Sequence, residues 1–383
     1  MVGGSVRDLL VGFEPKDFDI ATSAEPEQVA ATFRNCRLIG RRFRLAHIYF
    51  GPELIEVATF RGSAEELKGE HLSESGRILR DNVFGTLEED AIRRDFTVNA
   101  LYYDPVKNIV IDYVGGMQDL NKGKLRLIGD VEQRYREDPV RMLRAARFSA
   151  KLGFRIDPAE EQLLYTHGRL LRDISPSRLF DESRKLFMTG QAMATFEVLR
   201  HFHLFEHLYP QSERALSIQE NNFPLMMVNQ GMKNTDSRIA EGKPVTPAFL
   251  YAVILWEPVR LLARDLQTGE AMSAGIALEK AGASVTSEQL QHISIPKRFS
   301  HPMKEIWKLQ PRFNNKRPKS VPRFIGHPRF RAAYDFLLLR AGVGEEEQEL
   351  ADWWTNIQLT HKPPEHVHKK RPRTRTRRNR SRN

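Results

Sequence analysis

The chain has 383 residues, 40% hydrophobic and 28% charged, with a formal net charge of +10, which is enough length for two or more domains and a composition suited to a soluble globular protein. No run approaches the roughly 18 apolar residues of a membrane span, and the N-terminus lacks the basic-then-apolar order of a signal peptide. Cys36 is the sole cysteine, so an intrachain disulfide is excluded and a reducing, cytoplasmic setting is expected.

In chain order, Asp17–Thr22 reads as a strand and Glu27–Arg34 as a short helix behind the start signal Pro26. Leu38–Phe50 and Glu53–Phe60 are strand-like, and Gly51-Pro52 between them predicts a hairpin turn. Residues 63–82 read as a polar loop and Ala91–Tyr103 as a helix. Ile109–Tyr113 and Lys124–Ile128 are expected as short strands around the Gly115-Gly116 and Lys122-Gly123 turns. From Arg134 the apolar spacing changes to three and four residues, through Val140–Leu152, Leu179–Met188, Ala192–Leu208, Pro247–Leu262 and Arg331–Arg340. A mixed strand-and-helix segment therefore gives way near residue 130 to one that is mostly helical from about 132 to 360. Residues 369–383 hold two Lys, seven Arg and no acid, so the rest of the chain sums to +1 and the excess basicity is assigned to a disordered tail. Such a tail reads either as a sequence-independent grip on phosphates or as a solubilising segment. His361, His366 and His368 fall in the flexible linker before it and suggest no metal site.

Four clusters carry chemical interest. In Asp17-Phe18-Asp19 a strand would project both carboxylates from one face, with Phe18 toward the core. Such a pair is more often a solvated strand face, but it also suits Mg²⁺, which takes one or two protein carboxylates plus phosphate oxygens and water. Upstream, Gly3-Gly4-Ser5-Val6-Arg7-Asp8 reads as a turn or as a phosphate cradle, with Gly4 allowing close backbone approach and Arg7 offering a forked donor. Asp95, in Arg93-Arg94-Asp95-Phe96-Thr97, is a third candidate carboxylate or a salt-bridged structural residue. Glu56, alone in an apolar strand, is a further candidate for the same cluster on strand geometry. In Glu137–Phe148, Pro139 suits a first helical position and Asp138 the cap before it. Arg141, Arg144 and Arg147 then recur on one helical side. This is an ordinary capped amphipathic helix or a cationic face for triphosphate, with Asp138 and Arg141 on the edge of a base.

Taken together, Gly3–Gly12, Lys16–Thr22, Arg93–Leu101 and Glu137–Phe148 resemble the family of bacterial poly(A) polymerases and tRNA CCA-adding enzymes. This family is the class II branch of the polymerase-beta-like nucleotidyltransferases. Leu38–His47 is similar to the stretch found in the poly(A) polymerase branch of gammaproteobacterial type. Weaker likeness continues at 233–236, 246–250, 294–298 and 327–335, and in the basic C-terminal tail.

The resemblance implies an α+β fold: a mixed-sheet catalytic head (1–130), a helical neck (131–210), a helical body and leg that bind RNA (211–360), and a basic tail (361–383). It implies template-independent transfer of AMP from ATP to RNA 3′ ends with release of pyrophosphate, serving RNA processing and decay. Asp17 and Asp19 are the implied ligands of two Mg²⁺ ions, and Asp95 a further catalytic acid. Gly4, Arg7, Arg94, Arg141 and Arg144 are placed around the nucleotide, with Asp138 and Arg141 near its base. RNA and ATP are the implied partners, and RNA-decay proteins could engage the tail. Members of the family carry a helix and a strand before the Gly-Gly motif, where this chain has only Met1-Val2. A sheet edge exposed beside the cradle is therefore expected. Two other readings are kept: a tRNA CCA-adding enzyme, and an inactive RNA-binding protein.

Overall fold

In a computed structural model of the chain, residues 1–40, 44–62, 83–220 and 223–360 are described. The expected loop at 63–82, the centre of the 38–47 stretch and the whole tail segment 361–383 lie outside them.

Gly3, at φ 75°, turns the chain into α1 (Gly4–Leu10). A Cβ at Gly3 would be strained by that φ and would meet Arg94 Nη1 at 3.1 Å. Next come β1 (Asp19–Thr22), α2 (Pro26–Thr32), β2 (Cys36–Ile39), β3 (Leu45–Phe50) and β4 (Glu53–Thr59). The sheet order is β1-β4-β3-β2, with β1 parallel to β4 and the other pairs antiparallel. Alternation then sorts the side chains. Ala46, Ile48 and Val57 pack with Val29 of α2 in a small core, against which Ile20 also lies. Asp19, His47 and Glu56 are left on the opposite face.

Three expectations are corrected here. Leu38–Phe50 is two antiparallel strands rather than one, because the chain leaves β2 through Gly40 at φ 88°. The strand expected from Asp17 begins at Asp19. Alternation therefore does not reach Phe18, which is 43% exposed instead of buried in the core.

The edge expected to be open beside the cradle is filled at Val2. This residue is buried and bridges Asp19 on one side and Tyr102 of β5 (Tyr102–Asp104) on the other. Strand β6 (Ile109–Ile111) completes a hairpin with β5.

The helix expected over 91–103 is also corrected. A capping box between Thr86 and Glu89 starts α3 (Leu87–Arg93), which ends at Arg93. Beyond it, side chains compete for the backbone. Asp95 Oδ1 accepts from the Phe96 N–H at 2.8 Å. The Thr97 hydroxyl donates to Asp119 of α4 (Gly116–Asn121) at 2.6 Å. The chain passes through a single 3₁₀ turn into β5.

Strand β7 (Lys124–Leu125) covers only the start of the strand expected at 124–128. It pairs with β8 (Arg155–Ile156), the strand that follows α5 (Val131–Glu137) and α6 (Val140–Leu152). Pro139 precedes α6 and Gly153, at φ 67°, ends it. After α7 (Pro158–His167) and α8 (Pro176–Phe187) the chain is mostly helical. Ala192–Leu208 is interrupted at Phe202–Leu204, where His203 takes φ 56°. Pro247–Leu262 is interrupted at Leu255, because Pro258 cannot continue a helix through Ile254.

One core runs from Val6, Phe96 and Leu127 through Tyr135, Leu143 and Phe148 to Leu339, without a break near residue 130. A separate small core of Leu309, Phe313, Phe324, Phe330 and Trp354 builds a C-terminal lobe. The architecture is α+β, and among the described residues no helix is long and apolar enough to cross a membrane.

Candidate nucleotide and metal site

Parallel pairing of β1 and β4 sets Asp19 opposite Glu56. On β3, His47 faces Glu56, with Nε2 3.1 Å from Glu56 Oε2. Asp17 lies just before β1 and is exposed. The protein mass around Asp19 pushes its pKa above the ordinary aspartate range, the Glu56 carboxylate adds to this, Arg94 opposes it and Asp17 contributes further. A cation bound beside Asp19 would offset the mutual repulsion of these carboxylates. Among the described residues no group of three or more His, Cys, Asp and Glu is placed to enclose a metal by itself. Mg²⁺ does not need one: one or two carboxylates suffice when phosphate oxygens and water complete the shell. The hard oxygen donors of Asp17 and Asp19 fit such an ion, while Glu56 is partly engaged by His47.

Arg94 borders this group. Its Nη2 is 3.1 Å from Asp90 Oδ2, and its Nε is 3.0 Å from the Tyr102 hydroxyl. The guanidinium lies 5.2 Å from the centre of the Tyr102 ring. The Tyr102 hydroxyl in turn donates to Asp90.

Asp95 occupies a different network. It accepts from Phe96 N–H, from Asn99 Nδ2 at 3.1 Å and from Arg144 Nε at 2.6 Å. Burial would push its pKa up, but Arg144, Asn99 and the Phe96 amide prevail and hold it below the usual carboxylate range.

Arg7 is 2% exposed, and its fork is committed to protein partners. Its Nε donates to Asp8 Oδ1 at 2.8 Å, its Nη1 donates to Asn99 Oδ1, and its guanidinium lies 5.1 Å from the Phe148 ring centre. Gly4 opens α1 beside it and is partly exposed.

The α6 face is divided. Arg141 Nη1 donates to the Arg134 carbonyl at 2.6 Å and to Glu137 Oε2 at 3.1 Å. Arg144 is paired with Asp95. Arg147 makes no hydrogen bond or ion pair among the described residues and rests 4.6 Å from the Phe148 ring centre. Burial, and then Arg144, lower its pKa to about 10. Asp138 lies between α5 and α6. Its Oδ1 accepts from Val140 N–H at 3.3 Å and its Oδ2 from Arg178 Nη2 at 2.7 Å.

Sequence reasoning missed Arg178, Asn99, Asp90 and the pairing of His47 with Glu56. Asn99 and His47 stand inside quoted motifs and could have been singled out. Nothing local marks Arg178, which reaches Asp138 across 40 positions.

Comparison with known proteins adds three family matches. Residues 1–126 match the family described as "Poly A polymerase head domain". Residues 153–216 match "Probable RNA and SrmB- binding site of polymerase A", and residues 270–383 match "Polymerase A arginine-rich C-terminus". Poly(A) polymerase I of Salmonella typhi is 47% identical over 371 residues, which covers 95% of this chain and 80% of that protein. Poly(A) polymerase I of Escherichia coli O157:H7 is 46% identical, covering 100% and 85%. A CCA-adding enzyme of Lactobacillus helveticus is 31% identical over 242 residues, covering 59% of this chain and 58% of its own length. Among solved structures, a CCA-adding enzyme in an apo form gives a TM-score of 0.63 at 23% identity, covering 94% and 79%. The Bacillus stearothermophilus CCA-adding enzyme in complex with CTP gives 0.57 at 24% identity, covering 94% and 77%. These structural matches speak to fold alone.

Proposed function

The chain belongs to the bacterial poly(A) polymerase family, and on that footing we propose that it adds adenylate from ATP to RNA 3′ ends without a template. The observation that carries this activity is the 46–47% identity to poly(A) polymerase I across nearly the whole chain. ATP is the substrate, RNA the acceptor, and the family's chemistry depends on a divalent metal. The crowded carboxylates at Asp19 support a site for that metal.

In the proposed mechanism Asp17 and Asp19 would hold two Mg²⁺ ions. When bound, these ions would lower the pKa of the RNA 3′-hydroxyl and offset charge on the triphosphate. The 3′-oxygen forms a bond to the α-phosphorus as the bond to the bridging oxygen breaks, and pyrophosphate leaves. The hydroxyl proton passes to solvent.

Arg94, fixed by Asp90 and Tyr102, supplies positive charge beside Asp19. Arg147, with its charge unmatched, faces the same polyanion. Asp138 accepts from the edge of the base and Arg141 donates to it, once the Arg178 contact is given up. Asp95 acts through Arg144, which it orients. Arg7 braces α1 against Asn99 and Phe148, so that Gly4, partly exposed at the start of α1, presents its backbone N–H, while the Gly3 N–H is held by the Leu101 carbonyl. Catalysis rests on positioning and electrostatics, with no covalent intermediate.

Asp17→Asn and Asp19→Asn test the assignment. Each should lower AMP incorporation by roughly 10²–10³-fold or more with an unchanged circular dichroism spectrum. Near-parental turnover in both would remove these carboxylates from the chemistry.

A further inference from the structure

The near-neutral sum of the chain before its tail conceals a strongly polarised segment. Residues 306–334 contain eight Lys and Arg and no acid, so the excess of positive charge is not confined to the tail. This segment is folded. It supplies most of the small core of Leu309, Phe313, Phe324, Phe330 and Trp354, and it carries its cations outward. Arg312, Lys316, Arg317, Lys319 and Arg323 are all exposed, and among the described residues none of the five forms an ion pair. Folded surfaces ordinarily intersperse the two signs, and this one does so elsewhere: Lys308 pairs with Glu279, Arg329 with Glu305 and Arg331 with Asp335. The five remain as a one-sign patch.

Two of them are also held in place. Arg312 lies 4.4 Å from the Phe324 ring centre, and Lys316 lies 5.4 Å from that of Trp353. An aromatic face orients a cation without neutralising it, which leaves the N–H edge available to an anion. Phe324 is 2% exposed, so no base can stack on the ring beneath Arg312, and the open edge of that guanidinium is left for phosphate.

We propose that this patch, centred on Arg312–Arg323, is a rigid track for the phosphodiester backbone of the RNA substrate, separate from the basic tail. The proposal rests on the polyadenylation reading for the identity of the polyanion. The track reads no sequence. It holds the body of the RNA while the 3′ end is extended, so its loss weakens binding without slowing the chemical step.

The test is a full-length variant with Arg312, Lys316, Arg317, Lys319 and Arg323 all changed to Gln. Binding of labelled oligoadenylate is measured by anisotropy across about 50–200 mM salt, and AMP incorporation is measured at saturating RNA. Expected are a loss of affinity of at least ~10-fold and a plot of log K against log salt that is shallower by about 2–4, given roughly 0.7 per phosphate contact on a single strand. The rate at saturating RNA should be unchanged. A variant with Arg312, Arg317 and Arg323 changed to Lys should keep the parental slope. Parental affinity and slope in a correctly folded Gln variant overturn the proposal. So does retained RNA affinity with lost binding to polyglutamate, the result expected of a protein-docking surface. Absence of AMP incorporation by the parent chain would instead overturn the polyadenylation reading and leave the binding result standing.

Discussion

Glu160 is fully buried in α7 and faces the segment between β7 and α5. One carboxyl oxygen accepts from the Leu127 N–H and the other from the Tyr135 hydroxyl, which is 3.1 Å away. Burial raises its pKa from 4.5 to about 7, against the opposing pull of those two donors. Because the folded value lies above the unfolded one, stability is greatest below the unfolded pKa near 4.5. It falls as pH rises toward 7, then levels off. A shift of about two and a half units at 1.36 kcal/mol each amounts to roughly 3 kcal/mol. Glu160→Gln removes the titration and keeps the contacts, with the amide donating to Tyr135 and its oxygen accepting from Leu127. The variant should therefore gain on the parent from pH 5 to pH 8. At roughly 1–2 °C per kcal/mol for a unit of about 330 residues sharing one core, the melting temperature at pH 8 should rise by on the order of 5 °C. At pH 4.5 the two proteins should nearly coincide. Thermal scans of both across this range check it. A constant offset at every pH would refute the reasoning, since it would mean that Glu160 does not change protonation in the folded state.

Arg144→Ala should destabilise the protein by roughly 3 kcal/mol, because Asp95 would be left buried without its main partner. Arg144→Lys should recover only part of this, and denaturant unfolding would show equal midpoints for Ala and parent if the pair were unimportant. Arg178→Ala should lower the KM for ATP up to about fivefold at unchanged kcat, since it frees Asp138 of a contact worth about 0–1 kcal/mol. A rise in KM would show that Arg178 itself touches the nucleotide.

Legibility followed the range of the interactions. Helix α6 matched its expected limits because its boundary signals, Pro139 and Gly153, are local. The strand reading that singled out Glu56 was legible, since Glu56 is the cross-strand neighbour of Asp19, whereas Asp17 lies before the strand and outside its alternation. The split between β2 and β3 depended on one glycine, Gly40, in a left-handed conformation. The failure of the helix over 91–103 depended on Asp95 and Thr97 turning to bind backbone and Asp119. Pairings such as Asp95 with Arg144, or Asp138 with Arg178, cross 49 and 40 positions and leave no periodic trace. The cationic lobe was hidden for another reason. Summing charge over the chain cancelled its excess against acids that lie elsewhere in the fold.

Nucleotide choice tests the central claim most directly. The purified chain is incubated with Mg²⁺, labelled RNA of arbitrary sequence, and ATP, CTP, GTP or UTP separately. The account predicts a long ladder with ATP and no extension beyond background with the others. Short CTP-dependent additions confined to tRNA lacking its CCA end would contradict it and identify a CCA-adding enzyme.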